Sequence, residues 1–381
     1  MAPRILIAPD KFKGSLSAGQ AAAAMQAGVL TVWPEAECVC RPVADGGEGT
    51  AEAMCQALGG EWVETVASDP LGRPVKAHYA WLPGATAVID MSEASGLWRL
   101  RPEERNPLLT STRGTGELMQ HALQRGAHTL VVGLGGSATN DGGLGMAQAL
   151  GFEFLDRAGE RLGPTPESLS ALASVHAPSA WYAASGRRSA PQVLGLCDVR
   201  NPLLGERGAS RIFGPQKGAS PEMVEQLDAL LARLAEVVRR DLGQDHASHP
   251  GSGAAGGLGF GLLSFCGASL KPGFETLAGI LQLERLIADC DLVLTGEGRI
   301  DAQTLEGKAP AGVAALARQH GRPVLAFGGS VEPGLAGGGG GFDAVIPISP
   351  PGMPLVESMA KAASLLTEAC ATQLPHHFRR H

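Results

Sequence analysis

Short apolar runs alternate with helix-like stretches at both ends of the chain. Arg4 to Ala8 reads as a strand, Ser17 to Val29 as an Ala-rich helix and Glu37 to Val43 as a second strand. A further helix is expected over Asp45 to Leu58, after a glycine pair. The rhythm returns near the other end. Leu286 to Leu294 closes in a strand, Gly312 to Gln319 is helical, Pro323 to Phe327 and Ala344 to Ile348 are strands, and Leu355 to Cys370 is helical. Apolar strands separated by helices predict a doubly wound parallel sheet covered on both faces.

Between these ends the texture changes. From about Glu61, VETVASDPLGRPVKAHYAWLPGATAVIDM places two or three strands around Gly/Pro turns with no helix between them, a hairpin pattern. Pro221 to Leu242 is strongly amphipathic, with Leu227, Leu230, Leu231, Leu234 and Val237 at helical spacing. The reading is an α/β domain of residues 1–62 plus 280–381, interrupted by a second, mixed α/β domain over 63–279, with boundaries loose by about ten residues. A cleft between two such domains is the natural ligand site, and closure over it is expected. Gly337 to Gly341 reads as a flexible surface loop. GGLGMAQAL from Gly142 and GGLGFGLLS from Gly256 echo one another, each a glycine turn before an apolar helix that can present its N-terminus.

Composition narrows the function. A net charge of −7 with no Lys/Arg cluster and 4% aromatics offers nothing to a nucleic-acid backbone or to stacked bases. The N-terminus lacks a signal-peptide h-region and no run of 18 apolar residues exists, so the cytoplasm is the expected location and no membrane is involved. Seven scattered cysteines without a C-x-x-C pair indicate neither a disulfide framework nor zinc. The 53 glycines fall in a few dense loops, which suits sites lined by backbone.

The most telling loop is GLGGSATNDGGLG, Gly133 to Gly145, between an apolar strand and a helix over Met146 to Leu150. Its unobstructed amides, with hydroxyls at Ser137 and Thr139, form an anion cradle suited to phosphate. Acidic residues stand after the strands: Asp10 after ILIAP, Asp45 after CRPVA, and Glu297 with Asp301 after DLVLTG, all on one sheet edge. They read as helix caps or as a magnesium or substrate site, and the adjacent glycines favour the site. Lys13, beside Gly14 and the Ser15 hydroxyl, is positioned for an anionic group; Lys308 opens a helix, and Lys217 is as well explained by structure. Asp198 emerges from the apolar strand VLGLCDV as a general base or as a cap paired with Arg200. Arg73 and Arg113 are candidates for a bidentate hold on a carboxylate. His246 and His249 lack a third ligand. Gly251 to Gly256 spells G-x-G-x-x-G but follows HASHP rather than a strand, so a nicotinamide-dependent hydroxypyruvate reductase is a weak rival, and no P-loop sequence occurs.

Nine strings in order, APDKFKGSLSA, RPVADGGEGT, DPLGRPV, STRGTGELM, GLGGSATNDGG, CDVRNPLLG, FGPQKGAS, GSGAAGGLG and TGEGRIDAQTLEGKAPAGVA, resemble the bacterial glycerate kinase family of the glycerate 2-kinase type. GLGGSA is also similar to the phosphate-holding loop of the galactokinase and homoserine kinase superfamily. The glycerate kinase resemblance implies a flavodoxin-like α/β domain interrupted by a second α/β domain. It also implies transfer of the ATP γ-phosphoryl group to D-glycerate with Mg2+, giving 2-phosphoglycerate, with 3-phosphoglycerate as the alternative product. A homodimer is compatible with it. Carried onto this chain, Lys13, Asp45, Glu297, Asp301 and Lys308 become cleft residues, with Asp45 or the Glu297/Asp301 pair at the metal. Asp198 becomes the base, and Gly135, Gly136, Ser137 and Asn140 the phosphate loop. Ser252 and the Gly337 to Gly341 run depart from the family pattern.

Overall fold

A computed structural model describes residues 2–181, 189–305, 308–335 and 337–377. In chain order its strands are β1 (Arg4–Ile7), β2 (Glu37–Cys40), β3 (Glu61–Ser68), β4 (Pro74–Leu82), β5 (Thr86–Asp90), β6 (Thr129–Gly133) and β7 (Glu153–Leu155). They continue with β8 (Ser174–His176), β9 (Gln192–Leu196), β10 (Ser269–Lys271), β11 (Leu292–Ile300), β12 (Val324–Val331) and β13 (Ala344–Pro347). Two units result, one of Met1–Asp45 with Phe274–His381 and one of Gly46–Gly273.

In the first unit five strands lie in the order β13-β12-β11-β1-β2, every pair parallel. Renumbered within the unit this is 2-1-3-4-5, the flavodoxin-like order. Period-two alternation explains the continuous apolar runs. Ile5, Ile7, Leu294 and Phe327 share a core with Met25 and Leu366, from helices Ala18–Val32 and Ala362–His377. The intervening Leu6, Val293 and Ala326 are equally buried, and helix Ala309–Gln319 packs on β11 and β12. Helix Ala18–Val32 starts where a capping box predicts: the Ser17 hydroxyl accepts from the Gln20 amide while the Gln20 side chain accepts from the Ser17 amide. The expected helix Leu355 to Cys370 is two, Leu355–Ala360 and Ala362–His377.

The second unit carries a six-stranded sheet, β10-β9-β6-β5-β4-β3. β3, β4 and β5 form the antiparallel meander that the Gly/Pro turns foretold, whereas β5, β6, β9 and β10 are parallel. The amphipathic helix spans Pro221–Leu242, capped by Ser220 and ended by Gly243 at φ +67°, and it buries Leu227, Leu230, Leu231, Leu234 and Val237. Helix Thr50–Leu58 belongs here too. It packs on β4 and β5, so the division falls at residue 45 rather than 62.

Candidate active site

The first unit's sheet reverses its winding between β1 and β11, and open α/β sheets take ligands outside the carboxyl ends of their strands at such a point. Acid gathers there. Asp10, three residues past β1, and Glu297, within β11, are each 7% exposed. Asp45 ends the continuation of β2, in which the Arg41 and Val43 amides donate to the Ile7 and Pro9 carbonyls. Burial lifts the Asp10 carboxyl to about 8; the Asp45 and Glu297 charges push the same way, against Lys11. Burial also raises Glu297, with Asp301 and Asp45 adding to it while Thr304 and Lys308 oppose. The Thr304 hydroxyl donates to Glu297 Oε1 at 2.6 Å and accepts from the Asp301 amide at 3.1 Å. Lys308, the N-cap residue of helix Ala309–Gln319, brings Nζ to 3.6 Å from Glu297 Oε2, and Asp301 meets Arg299 at 3.1 Å.

Asp45, Glu297, Asp301 and Lys308 therefore share one charged neighbourhood with Asp10. Lys13 is exposed, and Ser15 donates its hydroxyl to the Phe12 carbonyl at 2.9 Å. Among the described residues no three His, Cys, Asp or Glu side chains converge as a ready-made metal cage.

In the second unit, Asp90, Gly133 and Leu196 end β5, β6 and β9 in register. Asp90 is a cap: its carboxylate accepts from the Gly49 and Ala51 amides at 2.7 and 3.2 Å, fastening helix Thr50–Leu58. Gly135 leaves β6 two residues past Gly133, and Asp198 leaves β9 two residues past Leu196, so the glycine loop and this carboxylate exit neighbouring strands together. Asp198 is exposed rather than buried, and its Oδ1 accepts from the Gly273 amide at 2.7 Å.

The glycine loop has two unlike halves. The amides of Gly135, Gly136 and Ser137 find no acceptor among the described residues, and none of these three residues is buried. Gly136 has φ +74°, and the turn is pinned where its carbonyl accepts from Leu97 and where the Ala138 amide donates to Ser95. A Cβ on Gly136 would lie 3.7 Å from the Ser92 hydroxyl, a fully buried group without a hydrogen-bond partner.

The other half is closed. Thr139, Asn140 and Asp141 are fully buried. Asp141 accepts from the Thr112 amide and hydroxyl at 2.8 Å each, from Gly143 at 3.0 Å and from Gly145 at 3.1 Å. The Met146 amide donates to the Thr112 hydroxyl. The helix here, Leu144–Ala149, has six residues and is capped from within, which corrects the expectation that its N-terminus is open to an anion. Asn140 donates from Nδ2 to the Ser210 hydroxyl at 2.9 Å. The two GGLG turns pack on each other: the Gly142 amide donates to the Gly256 carbonyl, and a Cβ on Gly256 would stand 1.9 Å from the Thr139 oxygen. Gly251 to Gly256 is thus a brace, not a dinucleotide loop.

Arg73 is held by Asp69 at 2.6 Å and Glu104 at 2.8 Å, and Arg113 by Glu117 at 3.0 Å. Both guanidiniums are therefore already paired with carboxylates of this chain. Lys217, which the sequence left undecided, is 1% exposed and donates to the Thr139 carbonyl at 2.7 Å.

Among the described residues no helix is long and apolar enough to cross a membrane. Residues 5–375 match the model of the glycerate kinase family. A glycerate kinase of Bacillus subtilis is 45% identical over 95% of this chain and 94% of its own length. A glycerate 2-kinase of Escherichia coli is 47% identical over 86% and 85%. A crystal structure assigned to a glycerate kinase 2 of Salmonella typhimurium LT2 superposes with a TM-score of 0.83 at 44% identity, covering 97% of each chain. The nine strings, the flavodoxin-like sheet order and these matches agree: the chain belongs to the glycerate kinase family, enzymes that phosphorylate glycerate.

Proposed function

We propose that this enzyme transfers the γ-phosphoryl group of ATP to the 2-hydroxyl of D-glycerate. The 2-phosphate is favoured by the name of the Escherichia coli relative, a glycerate 2-kinase. The observation that carries the phosphate assignment is the run of open amides at Gly135, Gly136 and Ser137, since backbone donors left unpaired at a glycine turn are a cradle for phosphate oxygens.

Phosphoryl transfer asks the protein for alignment and charge neutralisation more than for covalent chemistry. Gly135 to Ser137 hold the nucleotide phosphates. Asp198, exposed beside that loop, accepts the proton of the glycerate hydroxyl. Lys308 and Lys13 supply positive charge to the transferring group. Crowded hard-oxygen donors fit Mg2+, which Asp45 and Glu297, with Asp301, would hold and which when bound neutralises phosphate charge. Such a reaction belongs in the cytoplasm, where nucleoside triphosphate is made.

Proton-coupled phosphorus NMR of the product tests the reading. The 2-phosphate couples to one methine proton and gives a doublet; a triplet from a methylene pair would assign the 3-phosphate instead.

A further inference from the structure

We propose that Lys217 is a positioning residue of the phosphate loop, its buried ammonium holding the Thr139 carbonyl so that the Gly135, Gly136 and Ser137 amides face one ligand. The proposal rests on the phosphate-loop reading above. Lys217 ends the turn Pro215–Lys217, between helices Ala209–Phe213 and Pro221–Leu242. The turn is closely packed, since a Cβ on Gly218, at φ +95°, would stand 2.4 Å from the Arg105 carbonyl.

An ammonium has three donors, and among the described residues this one has a single hydrogen-bond acceptor, Thr139 O at 2.7 Å. Burying a charge so sparsely satisfied is costly, and an apolar side chain would fill the same space at less cost to stability. Burial indeed pushes the group down to about 7, against the pull of the Asp141 charge. What the ammonium gains is its place. Thr139 lies two residues past Ser137, and two residues further on Asp141 is fixed by four hydrogen bonds. A cation and an anion thus grip the backbone on either side of Asn140. Of the side chains there, Asn140 is anchored through its Nδ2 on Ser210, while Thr139 Oγ1 and Asn140 Oδ1 have no partner among the described residues.

The test compares full-length Lys217→Met and Lys217→Gln with wild type. Affinity for the non-hydrolysable analogue AMP-PNP with Mg2+ is read by calorimetry, beside KM for ATP and for D-glycerate, kcat and thermal unfolding. Loss of a hydrogen bond to a charged group weakens AMP-PNP binding and raises the ATP KM by about 10-fold or more in the Met variant. The glycerate KM stays within about 2-fold, since only the nucleotide's contacts are disturbed. A folded Met variant with unchanged AMP-PNP affinity overturns the proposal, and so does an equal loss for both substrates, which is the mark of a purely structural lysine. If neither variant folds, amide exchange in wild type decides. AMP-PNP slowing exchange over 133–141 and 214–219 together supports it, and slowing over 133–141 alone overturns it. No slowing over 133–141 removes the phosphate-loop reading as well.

Discussion

Asp141 and Asp10 are both buried aspartates, and they are opposite physical cases. Asp141 is saturated by two bonds from Thr112 and two from glycine amides, so its carboxylate organises backbone and has little capacity left for a ligand. Asp10 receives the Lys11 amide, but burial, with the like charges of Asp45 and Glu297 adding to it, holds its carboxyl at about 8. The same contrast divides the glycine loop: amides 143 and 145 are consumed by Asp141, whereas those of 135 to 137 are open. In this molecule burial alone does not mark chemistry. An open, unsatisfied donor is the better candidate for holding a ligand.

The contrast is broken most easily at its structural end. Asp141→Ala leaves four buried donors unpaired and is expected to cost about 3–5 kcal/mol of stability, read by urea unfolding; a loss near zero would show that saturation is not what fixes this loop. At the other end, Glu297→Gln should lower kcat about 100-fold, the scale of one misplaced electrostatic group, while the urea midpoint stays put or rises. Near wild-type turnover would remove Glu297 from the chemistry. The smallest effect sharpens the Asp10 case. Its folded pKa, about 8, lies above the ordinary 3.8, so its proton-linked stability is complete below about pH 4 and drains away as pH rises towards 8. Metal-free Asp10→Asn should therefore melt a few degrees above wild type at pH 8.5, with the gap closing towards pH 4. Parallel melting curves would mean that Asp10 is not crowded.

Much of this was legible in the sequence. Apolar runs gave the five parallel strands of the first unit, and Gly/Pro turns gave the β3 to β5 meander, because both patterns are local. The acidic residues after strands were likewise visible, as was the richness of glycine between 133 and 145. What escaped was decided by distant partners. Helix Thr50–Leu58 joins the second unit because its cap, Asp90, lies about forty residues away and its apolar face meets β4 and β5. The glycines of the two GGLG turns looked like ligand-lining backbone, yet many serve close approach of one turn to the other. Nothing near Arg73 in sequence announces Glu104, which with Asp69 occupies its guanidinium. Lys217 looked like any loop lysine, since its acceptor is 78 residues upstream.

A crystal structure with AMP-PNP and Mg2+ tests the central claim most directly. The account predicts phosphate oxygens within hydrogen-bond distance of the Gly135, Gly136 and Ser137 amides, with the Asp141 bonds unchanged. Phosphates seated away from residues 135–137, with those amides still unpaired, would contradict it.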